Sequence, residues 1–419
     1  MKYLITGGKK LEGEIRVSGN KNSIFPCVSA ALLTKDEVVL ENISNISDVG
    51  VLIEILKKLG ISVKRTNSTL SIKAEEIKTI SLPQNLMTKL RGSIVLVGAI
   101  LARKGRVNFF HPGGDIIGQR SITSHLDGFK KLGASLKKSD MKFSLQFPEE
   151  NKEECTIFLP EASITAAENL IIASVIGRRT VILKNCPLEP HILDLCKLLI
   201  QMGAKINGVG THNLEIEGVE QLFGTHFKIG LDFIEVGTYA VAAAITGGKV
   251  TIYDLDGTDL DPVFAPLLRF GIKVEQDKTS VTISGDKLKS VPKMTTNIWP
   301  GFPTDLMSVV IVLATQSKGM TLCHDWMYES RMFFIDKLIS MGAKVHLADP
   351  HRCLVYGPTK LHGRSLETPD IRAGMALVLA ALIARGKSII NQAELIERGY
   401  EDVVGKLKNL GATIEKEEE

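Results

Sequence analysis

The chain has 419 residues, too many for one ordinary hydrophobic core, so two domains are expected. Hydrophobic residues make up 44% and charged residues 23%, the balance of a soluble globular protein rather than a fibrous or disordered chain. A net charge of +4 with only 5% aromatic residues gives neither the basic excess nor the stacking surface of a nucleic-acid binder, but suits small anionic ligands.

In chain order, one phrase recurs: an amphipathic helix end, a glycine, then a short β-type run. It reads LKKLGISV at Leu56, FKKLGASL at Phe129, LIQMGAKI at Leu199, LLRFGIKV at Leu267, LISMGAKV at Leu338 and LKNLGATI at Leu407. The glycines are Gly60, Gly133, Gly203, Gly271, Gly342 and Gly411, each placed to close a helix in the left-handed conformation. The period of about seventy residues marks six copies of one unit, split three plus three. Each copy also carries an earlier alanine-rich helix, apolar nearly all round and therefore expected to be buried. The expected order within a unit is helix, strand, helix, strand, strand.

The six cysteines form no Cys-x-x-Cys pair and read as buried thiols in a reducing compartment. The N-terminal apolar run is too short for a signal peptide, and no stretch has the roughly 18 uninterrupted apolar residues of a membrane span. A cytoplasmic location follows, with no membrane partner.

Polar residues stand at the start of each buried helix, in the same phase. The starts are Ser18–Ser23, Thr88–Ser93, Ser163–Asn169, Glu235–Thr238, Gly301–Asp305 and Pro369–Gly374. Helix capping accounts for Ser93, Thr304 and Asp370. It does not account for Lys21, Arg91 and Arg372, because a cation at a helix N-terminus opposes the dipole. An anion among them would reverse that sign. Arg120, Arg331 and Arg398 add cations beside turns. The glycine-rich segment His111–Arg120 carries Asp115 at its tip, with no partner nearby in sequence. Such a loop can close over a ligand, and a carboxyl carried inward can donate a proton.

These residues resemble those of the UDP-N-acetylglucosamine 1-carboxyvinyltransferases, an enolpyruvyl transferase family. The matching segments are Ser18–Asn22, Pro112–Arg120, Glu189–Leu195, Ile234–Thr238, Pro300–Asp305, Asp370–Gly374 and Arg398–Glu401. The resemblance implies an α/β fold of two inverse α/β barrel domains, each of three βαβαββ repeats. Residues 20–229 would form one domain with the catalytic loop 111–121, and 1–19 plus 230–419 the other. Gly19 and Gly230 would be hinges, with the site in a cleft between the domains.

The implied reaction transfers the enolpyruvyl group of phosphoenolpyruvate to the 3′-hydroxyl of UDP-N-acetylglucosamine and releases phosphate, the first committed step of peptidoglycan synthesis. Asp305 would be the base, and Asp115 and Lys21 the acid candidates. Lys21, Arg120 and Arg398 would hold phosphoenolpyruvate, and Asn22 would position the intermediate. Arg91, Arg120, Ser121, Ile122, Thr123, Ser124, Ser163, Ile164, Asp305 and Met327 would meet the nucleotide sugar. Arg331, Asp370 and His125 would support the closed state, with Arg372 in the same substrate-binding set. No metal or cofactor is implied, and a monomer is expected.

Most family members carry Cys where this chain has Asp115, an aspartate variant that implies fosfomycin resistance. Glu161, Thr165 and Ser121 also depart from the family pattern, and a carboxylate near a diphosphate is unfavourable. Two alternatives therefore stand beside the main reading. One is a catalytically weak paralogue that binds UDP-N-acetylglucosamine, and the other is enolpyruvyl transfer to shikimate 3-phosphate.

Overall fold

The computed structural model describes all residues except 116, 119, 149–153, 256, 286 and 419. The chain divides into two compact units. Unit 1 comprises Met1–Ser18, Asp115–Gln119 and Leu231–Glu419, and unit 2 comprises Gly19–Gly114 and Arg120–Gly230. Asp115–Gln119 is assigned to unit 1, although the chain on either side of it lies in unit 2.

Among the described residues the fold is mixed α/β with six small sheets. In unit 2 the helices Lys21–Ala30, Leu96–Lys104 and Ile164–Ser174 pack against one another and are buried nearly throughout. Low amphipathicity is what an all-round apolar sequence predicts, and each such helix needs neighbours on every side. The amphipathic helices Ser47–Lys58 and Pro190–Gln201 bury one stripe and expose the other. In unit 1 the corresponding buried helices are Phe233–Thr246, Met307–Gln316 and Ile371–Ile383.

The sheets share one plan. In the first, Glu37–Glu41 pairs antiparallel with Thr69–Lys73, which pairs antiparallel with Ser62–Thr66. A fourth strand, His226–Lys228, runs parallel to Glu37–Glu41. The expected helix–strand–helix–strand–strand order is present; here the parallel strand comes from far along the chain, whereas Glu154–Phe158, Lys293–Thr295 and Ser365–Glu367 directly precede the buried helices of their own repeats. In the second repeat this parallel strand shrinks to a single bridge, Ser81 to Asn108. The sixth repeat lacks its own last strand, and Lys2–Thr6 fills that place between Lys387–Asn391 and Thr413–Glu417. The chain start thus closes the last sheet of unit 1.

The six glycines of the repeated phrase all have positive φ: 84° at Gly60, 93° at Gly133, 102° at Gly203, 88° at Gly271, 103° at Gly342 and 91° at Gly411. Gly19 is needed for a different reason. A Cβ there would collide with the Asn42 carbonyl oxygen, so close backbone approach explains the residue without any hinge. The cysteines are free; five are buried, but Cys155 is half-buried, contrary to expectation. In its short strand, Glu154–Phe158, Cys155 shares the inner face with buried Ile157 but is covered less completely. No helix among the described residues is long and apolar enough to cross a membrane.

A sign reversal tests the helix-closing role. A Cβ at Gly203 would meet only the Phe223 ring, at 3.4 Å, so the penalty there is backbone strain. Gly203→Ala should destabilise by about 1–2 kcal/mol, the left-handed penalty of an L-residue. Gly50 lies within Ser47–Lys58 with open space around it. Gly50→Ala should stabilise by about 0.5–1 kcal/mol. Thermal midpoints moving the same way for both variants would contradict this account.

Candidate active site

In unit 1 the starts of two buried helices meet at Asp305. This residue lies in the short 3-10 turn Thr304–Leu306 that leads into Met307–Gln316. Its Oδ1 accepts from Arg331 Nη2 at 2.9 Å, and its Oδ2 accepts from Arg372 Nε at 3.0 Å and Nη2 at 3.0 Å. Arg331 and Arg372 are almost wholly buried, with side chains 1% and 6% exposed, whereas Asp305 keeps 28%. Burial, the largest single influence, would lower the pKa of both arginines, but the surrounding acidic groups, Asp305 foremost, together outweigh it and both are raised. Arg372 also stacks on the Tyr400 ring at 5.0 Å, and Tyr400 shares a 3.0 Å hydroxyl contact with Thr238.

Arg372 begins its helix, where a cation is electrostatically disfavoured. Two features offset this. Asp305 pairs with the guanidinium, and Asp370 caps the helix by accepting from the N–H groups of Arg372 and Ala373 at 2.9 and 3.0 Å. Burial raises the Asp370 pKa, while Arg331 and the capped N–H groups pull it down and Asp115 pushes it up.

Asp115 has a partner 283 positions away in sequence. Arg398 Nη1 donates to its Oδ1 at 2.7 Å, with both side chains less than one-fifth exposed. Arg398 ends the 3-10 segment Ala393–Arg398. Beside Asp115, Ser330 donates its N–H to the Ile117 carbonyl at 3.1 Å. Met327 lies in the turn after Gly319–His324, and its N–H donates to Asp325 at 3.0 Å.

In unit 2, Lys21 opens the first buried helix and donates to Asp48 Oδ2 at 2.7 Å. Asp48 lies in the first turn of the next helix, where an acid in the sequence reads as ordinary dipole complement and gives no sign of this pairing. Asn20 caps the Lys21 helix by accepting from Asn22 N–H at 2.9 Å. Arg91 Nη2 donates to the Ser121 carbonyl at 3.0 Å, and Ser121 Oγ accepts from Thr123 N–H at 3.0 Å. Ile122 is buried, Arg120 half-buried, and Ser124 Oγ donates to Glu161 at 2.8 Å. Ser163 occupies the cap position of Ile164–Ser174 without a side-chain capping bond.

Capping differs from expectation at two places. Ser93 Oγ donates to the Leu90 carbonyl, and Thr304 Oγ1 donates to Asp325. Both helices are entered through 3-10 turns, so neither hydroxyl faces free N–H groups. Asn20, Asp232 and Asp370 cap instead.

His125 sits at the centre of a buried polar chain. Asn169 Nδ2 donates to its Nδ1 at 3.0 Å, so its Nε2–H donates to Thr165 Oγ1 at 3.0 Å. Asn169 also bonds the Ile94 carbonyl and the Gly98 N–H, which fixes its orientation. Burial first, and Arg91 second, push the His125 pKa down to about 3, so the ring is neutral. An unfolded histidine titrates near 6.5, so below that pH the unfolded chain binds the extra proton. Stability from this site is full above about pH 6.5 and lost as pH falls toward 3, at up to about 1.4 kcal/mol per pH unit. His125→Gln should flatten the acid slope of stability between those limits. An unchanged slope in pH-dependent denaturation would disprove the neutral assignment.

The chain is similar to known proteins over nearly its whole length. A family profile for EPSP synthase (3-phosphoshikimate 1-carboxyvinyltransferase) matches residues 5–407. The UDP-N-acetylglucosamine 1-carboxyvinyltransferase of Borreliella burgdorferi is 45% identical, covering 99% of this chain and 98% of that protein. The enolpyruvyl transferase NikO from Streptomyces tendae superposes with a TM-score of 0.88 at 25% identity, over 99% of this chain and 98% of that one. The EPSP synthase of Acinetobacter baumannii shares the fold, with a TM-score of 0.76 at 17% identity over 99% of this chain and 100% of that one. On this full-length similarity, the chain belongs to the enolpyruvyl transferases, in their UDP-N-acetylglucosamine 1-carboxyvinyltransferase branch.

Proposed function

We propose that the chain transfers the enolpyruvyl group of phosphoenolpyruvate to the 3′-hydroxyl of UDP-N-acetylglucosamine, in the cytoplasm, as the first committed step of peptidoglycan synthesis. The full-length 45% identity to a relative bearing that name is the observation that carries the reading. Each unit would be an inverse α/β barrel, with helices inside and sheets outside, and a single chain would suffice for turnover.

The chemistry is an addition followed by an elimination. Asp115 gives a proton to C3 of phosphoenolpyruvate while the sugar 3′-oxygen bonds to C2. Asp305 takes the 3′-hydroxyl proton, with its two guanidinium partners fixing where the carboxylate points. The tetrahedral phospholactate ketal then returns a C3 proton to the Asp115 carboxylate, the C–H electron pair forms the C2–C3 double bond, and the C2–O bond to phosphate breaks. Lys21, Arg120 and Arg398 hold the phosphate and carboxylate, and Asn22 positions the ketal. Arg91, Arg120–Ser124, Ser163, Ile164 and Met327 hold the nucleotide sugar. No electron is transferred, so the reaction calls for no redox cofactor.

Phosphoenolpyruvate must enter by exchange. The carboxylates of Asp48 and Asp115 already occupy Lys21 and Arg398. Displacing Asp115 from Arg398 removes its counter-charge at the moment it must carry a proton. The profile description favours shikimate 3-phosphate as the competing acceptor. Inorganic phosphate release from phosphoenolpyruvate should require UDP-N-acetylglucosamine and not proceed with shikimate 3-phosphate. The opposite acceptor preference would reverse the assignment, and binding without release would identify a catalytically weak paralogue. Arg398→Ala should weaken the use of phosphoenolpyruvate by about 2–5 kcal/mol in kcat/KM, the scale for removing one member of a buried charged pair.

Residue 115 makes a separate prediction. A thiolate opens the epoxide of fosfomycin, but a carboxylate is a much weaker nucleophile. Turnover should resist fosfomycin, and Asp115→Cys should gain sensitivity. Asp115→Asn should lose activity, because an amide cannot act as the acid. Intact mass after incubation with fosfomycin and UDP-N-acetylglucosamine decides the matter, and an adduct on the loop of the unaltered protein would refute it.

A further inference from the structure

Behind Asp305 lies a second carboxylate with no exposure at all. Asp325 follows the strand Gly319–His324, and its side chain is 0% exposed. One oxygen accepts from Thr296 Oγ1 at 3.2 Å and from Met327 N–H at 3.0 Å. The other accepts from Thr304 Oγ1 and faces Arg331 Nε at 3.9 Å. Arg331 Nε has no hydrogen-bond partner among the described residues, so this charge contact is what meets that edge of the guanidinium. The Asp325 backbone is also fixed, donating to the His351 carbonyl at 2.9 Å while its own carbonyl meets His351 Nδ1 at 2.7 Å.

One buried carboxylate thus touches three groups on the way to the substrate: the hydroxyl beside Asp305, the backbone of Met327, and the arginine that binds Asp305. An unpaired charge at 0% exposure would cost several kcal/mol, so these contacts must all be kept in folding. The arrangement is that of a supporting shell, in which a buried group locks the rotamers of those that do the chemistry.

We infer that Asp325 is a positioning residue for the reaction, setting the geometry and charge of Asp305 through Arg331 and Thr304. The inference rests on the enolpyruvyl-transfer reading above. It also fixes a direction for pH dependence. Arg331 and Arg372 face Asp305 directly, with Asp325 and Asp370 beyond Arg331 and with Asp232 and Tyr400 beside Arg372. Asp325 offsets part of the Arg331 charge. Without it, the full cation acts on Asp305 and makes it a weaker base.

The test compares Asp325→Asn, Thr304→Val and the double variant with the unaltered enzyme. Asparagine keeps the shape and can still accept from Met327 and Thr296, but it presents no charge to Arg331. Asp325→Asn should lower kcat about 10²-fold, the scale of a small misplacement of a reacting group. Both KM values should stay within about 3-fold, since the proposed ground-state anion contacts are untouched. The acid limb of the kcat profile should move to lower pH. Thr304→Val should give a smaller loss, and the double variant should be no slower than Asp325→Asn, because the two act through one path.

A kcat within about twofold of the unaltered enzyme, additive losses, or a fixed acid limb would each overturn the inference. If Asp325→Asn does not fold, Thr304→Val alone decides, and full activity there overturns it. Absence of phosphate release by the unaltered enzyme would instead remove the functional reading itself.

Discussion

Asp305 is held by two arginines that the fold buries almost completely, and the arrangement of unit 1 follows from that constraint. A buried guanidinium needs a carboxylate and further hydrogen bonds before its desolvation is offset. Arg331 finds Asp305 and Asp325, while Arg372 finds Asp305 and the Tyr400 ring. These partners can meet because Met307–Gln316 and Ile371–Ile383 pack side by side. Both begin at the same end, so the residues before one and at the first turn of the other are brought together. The repeat makes this possible: equivalent helices start at equivalent places, and residues that differ between copies can face one another.

The parts of this arrangement that depend on local chemistry were legible in the sequence. The six glycines at positive φ and the six buried helices follow from the apolar pattern and from the backbone freedom of glycine. The cations at helix starts were visible because they break a local rule. Their partners were not. Lys21 meets Asp48 and Asp115 meets Arg398, pairs set by packing rather than by spacing. Asp325 carried no signal, since His324–Asp325–Trp326 resembles any strand end.

Capping and sheet closure show the same limit. Ser93 and Thr304 are good capping residues by type, but the chain enters both helices through a 3-10 turn, which reorients the hydroxyls. Nor does composition reveal that Lys2–Thr6 supplies the missing strand of the sixth repeat. The repeated phrase gave the elements of a unit, whereas the strand shared between distant segments is a property of the closed structure.

A cation at a helix start signals an anion, and the sequence left its source open. The structure supplies it from within at two of these starts, Asp48 for Lys21 and Asp305 for Arg372, and Asp115 likewise meets Arg398 at the end of its 3-10 segment. An incoming anion therefore competes with a carboxylate already in place, and its net affinity is the difference between two charge-assisted contacts. That lowers the affinity available for simple capture. It also couples capture to chemistry, because a carboxylate set free from a guanidinium holds a proton more readily. On the proposed mechanism phosphoenolpyruvate takes the place of Asp115 at Arg398. Asp305 has the opposite requirement, since it must stay ionised until the sugar hydroxyl arrives. Two buried arginines, one supported by Asp325, hold it, whereas among the described residues Asp115 meets Arg398. On that mechanism, the asymmetry between Asp305, held by two buried arginines, and Asp115, held among the described residues by Arg398, would separate the two proton roles without any difference in residue type.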